Sequence, residues 1–195
     1  MDNKRYKLIV DSFGRDRFKF DESLENYTTL KVGGPAKLFF ISFTNNELVK
    51  LIKMCRELKL PFFLFGTGSK MMISDKGFDG LVIKNRTKNI QTVSVKGKVT
   101  KYGIGVEEAL IEVEGGVSIN KFCEYLESQN LDNKSFLGLP GSIGGNLFLN
   151  RFLQEAVKSI KILDWDLSID EISAEELSPK KHIILSVILR IRAKT

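Results

Sequence analysis

The chain has 195 residues, of which 43% are hydrophobic and 28% charged, and this composition excludes wholesale disorder and suffices for one core or two small lobes. No apolar run approaches the roughly 18 to 20 residues of a membrane span, and the run at residues 8–10 is too short for a signal-peptide core. We therefore expect a cytoplasmic protein without membrane contact, and the net charge of +6 favours an anionic partner.

The first half of the chain predicts a helix and three strands behind a polar leader. Residues 1–25 are polar and irregular apart from residues 8–10, and we expect them to pack on the body. A strand is predicted at residues 37–42, and a capping box at residues 44–47 opens a helix that Pro61 ends. A buried strand at 62–65, a glycine turn and a strand at 81–83 follow. The apolar face of the helix comprises Leu48, Leu51, Ile52, Cys55 and Leu58.

The second half predicts an antiparallel arrangement around one helix. Strands are expected at residues 91–95, near 99–102 and at 109–113, with a turn at residues 96–98. Ser118 caps a helix, a glycine-rich loop follows at 138–145, and strands near 159–165 and 183–191 close the chain. A second capping box, at 173–176, predicts one helical turn. The pattern is α+β, with a leader at 1–25 and lobes at about 26–85 and 86–195.

Two other features favour plain structural interpretations. Cys55 and Cys123 lie on the apolar faces of predicted helices, and with the single His182 they do not complete a metal site, so we predict buried thiols and no metal. The basic segment 84–101 also carries regularly spaced valines, which is typical of a hairpin with a solvated face. This pattern favours ordinary surface over nucleic-acid binding.

Three glycine-bearing turns stand out, and the second follows a predicted strand. In Gly66-Thr67-Gly68-Ser69 the two glycines allow positive φ and turn successive N–H groups toward one point, an arrangement that suits phosphate oxygens. Ser69 adds a hydroxyl and Lys70 a positive charge. The turn is neither a Walker loop nor GxGxxG, because Met71 occupies the third glycine's place, so an anion cradle and an ordinary turn remain equal alternatives.

The other two turns flank this one in the sequence. Residues 28–35, which include Gly33 and Gly34, taken alone predict a tight turn before a strand. Residues 139–146 contain Gly141, Gly144 and Gly145, which cost conformational entropy. That cost favours a flat or charged ligand lying against the backbone.

Taken together and in this order, the three turns resemble the UDP-N-acetylenolpyruvoylglucosamine reductase (MurB) family, flavoenzymes of peptidoglycan precursor synthesis. Residues 26–36 and 137–150 match, as does 66–82, where GTGSKMMISDKGFDGLV follows the family pattern GxGSNLLxSDxGFxGxV. A weaker match covers residues 163–191. The resemblance implies an α+β, two-subdomain FAD-binding fold of the PCMH (p-cresol methylhydroxylase) and vanillyl-alcohol-oxidase type, with FAD between the subdomains.

The resemblance also implies which residues contact FAD. The turn at 66–69 would hold the pyrophosphate, the loop at 139–146 would lie against the flavin, and the turn at 32–34 would line the cleft. The implied cofactor-binding residues are Val32, Gly33, Gly34, Gly66, Thr67, Gly68, Ser69, Lys70, Met71, Leu139, Pro140, Gly141, Ser142, Gly144, Gly145, Asn146 and Asn150.

The family's catalytic elements do not match. Of the family's Asn-Ala-Gly-Ala-Tyr-Gly stretch only Asn150 is present, and residues 177–182 run into the last strand without a Tyr-Arg-x-Ser element. The chain ends at Thr195 without the family's substrate-binding domain, which supplies a Ser or Cys proton donor and a glutamate, and Lys70 replaces an asparagine. No catalytic residue is therefore assigned.

We accordingly expect a truncated flavoprotein of weak or no reductase activity alone. NADPH and a UDP-sugar are the implied substrates, and a partner subunit is one source of the missing groups. Arg151, Lys180, Lys181 and His182 are candidates for binding substrate phosphates, although solvated charges are the favoured interpretation. The alternatives are a non-catalytic flavin-binding module and an anion- or nucleic-acid-binding protein.

Overall fold

The computed structural model describes residues 4–101 and 103–194. The chain divides into two compact units, Met1–Thr87 and Lys88–Thr195. Each unit has its own sheet, with four strands in the first and five in the second. The division falls between Thr87 and Lys88.

The first unit is a mixed sheet with helices. The strand order is β1-β2-β4-β3, with β1 antiparallel to β2 and the other neighbours parallel. Leu81, Val82 and Ile83 of the interior strand are fully buried, as their continuous apolar run predicts. The elements are α1 (Lys4–Phe13), β1 (Phe18–Ser23), β2 (Pro35–Ser42), α2 (Asn45–Glu57), β3 (Phe62–Phe65) and β4 (Phe78–Asn85).

The prediction of an irregular leader was wrong. Within residues 1–25, of which 1–3 lie outside the described part, α1 and β1 belong to the first unit. Tyr6, Ile9 and Val10 are buried at the i, i+3 and i+4 spacing of a helix, and Phe18 pairs with Phe40 in the sheet. The buried face of this helix comprises only three residues in a largely polar segment, which is too few to indicate a helix from the sequence.

The strand predicted at residues 62–65 is confirmed, but the prediction that it is buried was wrong. Phe62–Phe65 is a strand, but it lies at the edge of the sheet and Phe63 is 39% exposed. An edge strand has one neighbour, so an apolar run there is only partly covered. The run alone does not distinguish an edge strand from a central one.

The capping box of α2 is confirmed. The Thr44 hydroxyl accepts a hydrogen bond from the Glu47 N–H at 3.2 Å, and the Glu47 carboxylate accepts one from the Phe43 N–H at 3.1 Å. Partial burial raises the pKa of Glu47, but the hydrogen bonds from Arg17 and Phe43 outweigh it and leave the pKa below its ordinary value. The predicted face is buried at Leu48, Leu51, Ile52 and Cys55, and half-buried at Leu58.

The second unit is an antiparallel sheet with strand order β5-β6-β9-β7-β8. Helix α3 has its predicted apolar face, Ile119, Phe122, Cys123 and Leu126, buried in the core, and the Ser118 hydroxyl caps it by accepting from the Lys121 N–H. The elements are β5 (Ile90–Thr100), β6 (Gly103–Glu114), α3 (Ile119–Ser128), α4 (Ile143–Leu147), α5 (Arg151–Glu155), β7 (Val157–Leu163), β8 (Ile169–Ile172) and β9 (Ile183–Arg192).

The predicted turn at residues 96–98 was wrong. Strand β5 runs straight through these residues, and the register to β6 shifts by one residue between Lys96 and Gly97. Glycine here marks a bulge rather than a hairpin turn. Of the predicted strand near 99–102, Tyr102 lies outside the described residues. Lys84 belongs to β4 in the first unit, not to this hairpin.

Near the C-terminus two predictions were wrong: the end of the strand near 159–165 and the helical turn at 173–176. Strand β7 ends at Leu163, and Trp165 is 67% exposed in the following turn. Residues 173–176 do not form a helical turn. The Glu176 carboxylate accepts from the Ser173 N–H at 2.8 Å, as in a capping box, but the chain continues as a hydrogen-bonded turn and an extended segment.

No helix within residues 4–101 and 103–194 has the length and apolar character that a membrane crossing requires.

Candidate functional site

The turn Gly66-Thr67-Gly68-Ser69 follows β3 in the first unit. Gly68 has a φ of 77°, and the Thr67 and Ser69 hydroxyls are 3.1 Å apart. Within the described part of the chain, no group accepts a hydrogen bond from the backbone N–H of Thr67, Gly68 or Ser69. Three successive donors without a protein acceptor are what an anion-binding turn requires.

This turn interlocks with residues 28–35 through close backbone contacts. The Thr29 N–H donates to the Gly68 carbonyl at 3.3 Å, and the Gly34 N–H donates to the Ser74 carbonyl at 3.0 Å. A Cβ on Gly68 would overlap the Tyr27 carbonyl oxygen, and a Cβ on Gly34 would overlap the Asp75 carbonyl oxygen. The first two glycine clusters are therefore brought together, and the glycines at 34 and 68 have a packing reason independent of any ligand.

The other cofactor-binding residues predicted in this unit lie within or next to these two turns. Gly33 has a φ of 132° and lies against Leu24 and Ile73, while Val32 is 38% exposed. Met71 is half-buried against the core cluster of the sheet, and the Lys70 side chain is exposed.

In the second unit, the loop predicted at 138–145 is partly helical, which corrects that prediction. Ser142 caps α4: its hydroxyl accepts from the Gly145 N–H at 3.4 Å, and its carbonyl accepts from the Asn146 N–H at 2.9 Å. Gly144 and Gly145 therefore lie in the first turn of a short helix, and the Ser142 hydroxyl is used within the fold.

Gly144 is explained by the packing of α4. Its N–H donates to the Gly115 carbonyl at 2.9 Å, and a Cβ on Gly144 would lie only 3.0 Å from that oxygen. Gly145 is exposed, and Gly141 has a φ of 117°. A Cβ on Gly145 would meet only the Ser142 hydroxyl oxygen, at 3.4 Å, so no close backbone neighbour requires a glycine there.

The two predicted asparagines have internal roles. The Asn146 side chain is fully buried, and its amide donates to the Pro140 and Ser142 carbonyls at 3.1 and 3.0 Å. Asn150 caps α5 by accepting from the Leu153 N–H at 3.0 Å. Asn146 therefore fixes the loop backbone; Pro140 is exposed and Leu139 half-buried against the core.

The candidate phosphate-binding residues are either exposed or engaged with neighbouring side chains and backbone. Arg151 pairs with Glu155 on the surface of α5, and Lys180 and Lys181 are exposed. His182 closes a turn, because its Nδ1 accepts from the Ser178 N–H at 3.2 Å while its Nε2 lies 3.7 Å from Asp164. An Nδ1 that accepts a backbone N–H carries no proton itself.

Both cysteines are buried and unpaired with each other, as predicted. Burial raises the pKa of the Cys55 thiol to about 12, so this side chain is inert at neutral pH.

The family model described as "FAD binding domain" matches residues 36–152. The chain is an FAD-binding domain. Its cofactor is FAD, and the matched range includes the turn at 66–69 and the loop at 139–146.

The curated relatives of this FAD-binding domain are UDP-N-acetylenolpyruvoylglucosamine reductases. That of Clostridium perfringens is 28% identical over 178 residues, covering 88% of this chain and 54% of the relative. That of Clostridium tetani is 28% identical over 198 residues, covering 94% and 60%. The chain thus resembles the MurB family and spans little more than half the length of the relatives it matches.

Solved structures share the fold. The reductase from Thermus caldophilus superposes with a TM-score of 0.66 at 24% identity, covering 89% of this chain and 62% of that one. p-Cresol methylhydroxylase with bound substrate superposes with a TM-score of 0.61 at 13% identity, covering 100% and 44%. The predicted α+β FAD-binding fold of the PCMH type is confirmed.

Sequence reasoning missed some residues that shape the site. Gly77 has a φ of 77° and its Cβ would overlap the Pro35 carbonyl oxygen, so it belongs to the same interlock as Gly34. Gly115 supports Gly144, and Tyr27 supports Gly68. Gly77 lies in the matched stretch 66–82, but each of these contacts joins residues distant in sequence, and the sequence pattern does not indicate which residues meet.

Proposed function

We propose that the first unit holds the FAD pyrophosphate non-covalently at the turn Gly66-Thr67-Gly68-Ser69. The observation that carries the proposal is the set of three consecutive N–H groups, on Thr67, Gly68 and Ser69, without an acceptor in the described chain. The interlock with residues 28–35 fixes their backbone before the ligand binds. Pre-organised donors bind an anion without an ordering cost.

In the second unit we propose that the loop from Leu139 to Asn146 contacts the flavin end of FAD, and that residues 26–195 act as one FAD-binding domain. The exposed Gly145, and the φ of 117° that a glycine allows at position 141, support a contact there. Ser142, Asn146 and Asn150 contribute indirectly, because their side chains are used to hold α4, α5 and the loop backbone.

The test is a titration of cofactor-free protein with FAD and, separately, with FMN, followed by flavin fluorescence. We expect one FAD per chain, released on denaturation, and much weaker FMN binding because FMN lacks the pyrophosphate. Failure to take up FAD under reconstitution, or equal affinity for FMN, would contradict the proposal.

We further propose that this domain takes part in the NADPH-dependent reduction of a UDP-sugar enolpyruvate in the cytoplasm, with weak or no activity alone. The proposal rests on the similarity to UDP-N-acetylenolpyruvoylglucosamine reductases. Bound FAD would accept hydride from the nicotinamide and pass it on. The chain's own residues would bind and orient FAD, and a partner subunit is one source of further groups.

A non-catalytic flavin module is the second candidate, and the segment at residues 177–182 favours it. In the family this region carries a Tyr-Arg-x-Ser element, whereas here His182 and Ser178 hold each other in a turn and the two lysines are exposed. The measurement that separates the candidates is turnover of the FAD-loaded chain with NADPH and the enolpyruvyl substrate.

A further inference from the structure

One lysine stands apart from the other charged side chains of the first unit. Lys84, near the end of β4, is half-buried, and its ammonium lies 5.0 Å from the Tyr27 ring centroid and 5.7 Å from that of Phe65. Within residues 4–101 and 103–194, no carboxylate forms an ion pair with it. A half-buried cation held only by ring faces has given up hydration without gaining an anion.

The two rings beside Lys84 belong to residues that adjoin the glycine turn. Phe65 directly precedes Gly66 and is the register partner of Lys84 across the parallel strands β3 and β4. The Tyr27 carbonyl oxygen lies against Gly68. Neighbouring strands are about 4.8 Å apart, so a lysine side chain at this position is long enough to reach an anion bound in the turn.

The side chains around Lys84 are held in place by hydrogen bonds. The Tyr27 hydroxyl donates to the Glu22 carboxylate at 2.6 Å, and Lys19 donates to the same carboxylate at 2.8 Å, which fixes the ring and occupies the nearby acid. Burial, and secondarily the charge of Arg86, lower the pKa of Lys84 below its ordinary value. Both effects would be relieved by a bound anion.

From this geometry we propose that Lys84 is a further FAD-binding residue, whose ammonium neutralises the pyrophosphate held by the turn at 66–69. The inference rests on the proposed pyrophosphate site. It gives the site a fixed, half-buried positive charge beside neutral N–H donors, whereas the Lys70 side chain that the sequence suggested is exposed.

The test compares FAD affinity in the wild type, Lys84→Met, Lys84→Arg and the control Lys53→Met, which removes a charge from α2. Losing a charge-assisted contact should raise the Kd for FAD about 10- to 100-fold in Lys84→Met. It should also flatten the rise of Kd with ionic strength. Lys84→Arg should keep the salt dependence, and Lys53→Met should match the wild type.

The outcomes separate the two hypotheses. If the wild-type protein binds no FAD, the proposed pyrophosphate site is itself overturned. Wild-type protein that binds FAD while Lys84→Met binds it equally well, or more weakly with an unchanged salt dependence, overturns the role of Lys84 alone. Thermal unfolding of each variant without FAD checks that methionine is accommodated between the two rings.

Discussion

Gly68→Ala is expected to destabilise the first unit severely. The residue has a φ of 77°, and the added Cβ would overlap the Tyr27 carbonyl oxygen, which is backbone and cannot swing aside. The interlock of residues 28–35 with the turn would have to open. We expect a destabilisation of at least about 4 kcal/mol, within the range reserved for severe backbone or core defects.

Gly14→Ala is the matched control for this variant. Gly14 lies in the same unit with a φ of 88°, and nothing lies within 4 Å of its Cβ position. It should cost only the conformational strain, about 1–3 kcal/mol. Because the only tryptophan, Trp165, lies in the second unit, hydrogen exchange of the β4 amides is the suitable measurement. Equal losses in the two variants would show that the overlap with Tyr27 is relieved cheaply.

The FAD-loaded 195-residue chain is expected to reduce UDP-N-acetylglucosamine enolpyruvate at least about a hundredfold more slowly than the ordinary enzyme range of roughly 1–10³ s⁻¹. Hydride delivery to the enolpyruvyl group leaves developing negative charge that a positioned donor must stabilise. The family's arginine for this task has no counterpart at residues 177–182, where His182 is bound to Ser178 in a turn.

This prediction is measured by following NADPH consumption and product formation together. Oxidation of NADPH without product would indicate that the flavin is reduced but the substrate step fails, as a missing donor predicts. Turnover in the ordinary range would contradict the prediction and point to substitute groups, with Arg151 and His182 the first to mutate.

The cofactor and the fold class were predictable because several independent sequence features indicated them. Three glycine turns in a fixed order carry more information than any one of them, and the apolar runs of β2 and β4 are central strands whose burial follows from their composition. The capping residues Thr44 and Ser118 were predictable for a local reason, because the cap depends on residues three positions apart.

What was missed depends on partners distant in sequence. Whether Gly97 forms a turn or a bulge is decided by the strand opposite, and whether Phe63 is buried is decided by the strand order. The sequence suggested that Gly68 is glycine for a ligand's sake, whereas the Tyr27 carbonyl oxygen, 41 positions earlier, requires it as well. Lys84 read as part of a basic hairpin, yet it lies in β4 between two rings.

The central claim is that backbone N–H groups of the turn hold the FAD pyrophosphate. Its most direct test is an ¹H–¹⁵N correlation spectrum of the labelled protein during titration with FAD. We predict that the amide protons of Thr67, Gly68 and Ser69 shift strongly downfield as each gains a charge-assisted hydrogen bond, and that ADP, which carries the same pyrophosphate, shifts them in the same direction. If FAD binds while the resonances of these three amides do not shift, the claim that they hold the pyrophosphate is contradicted.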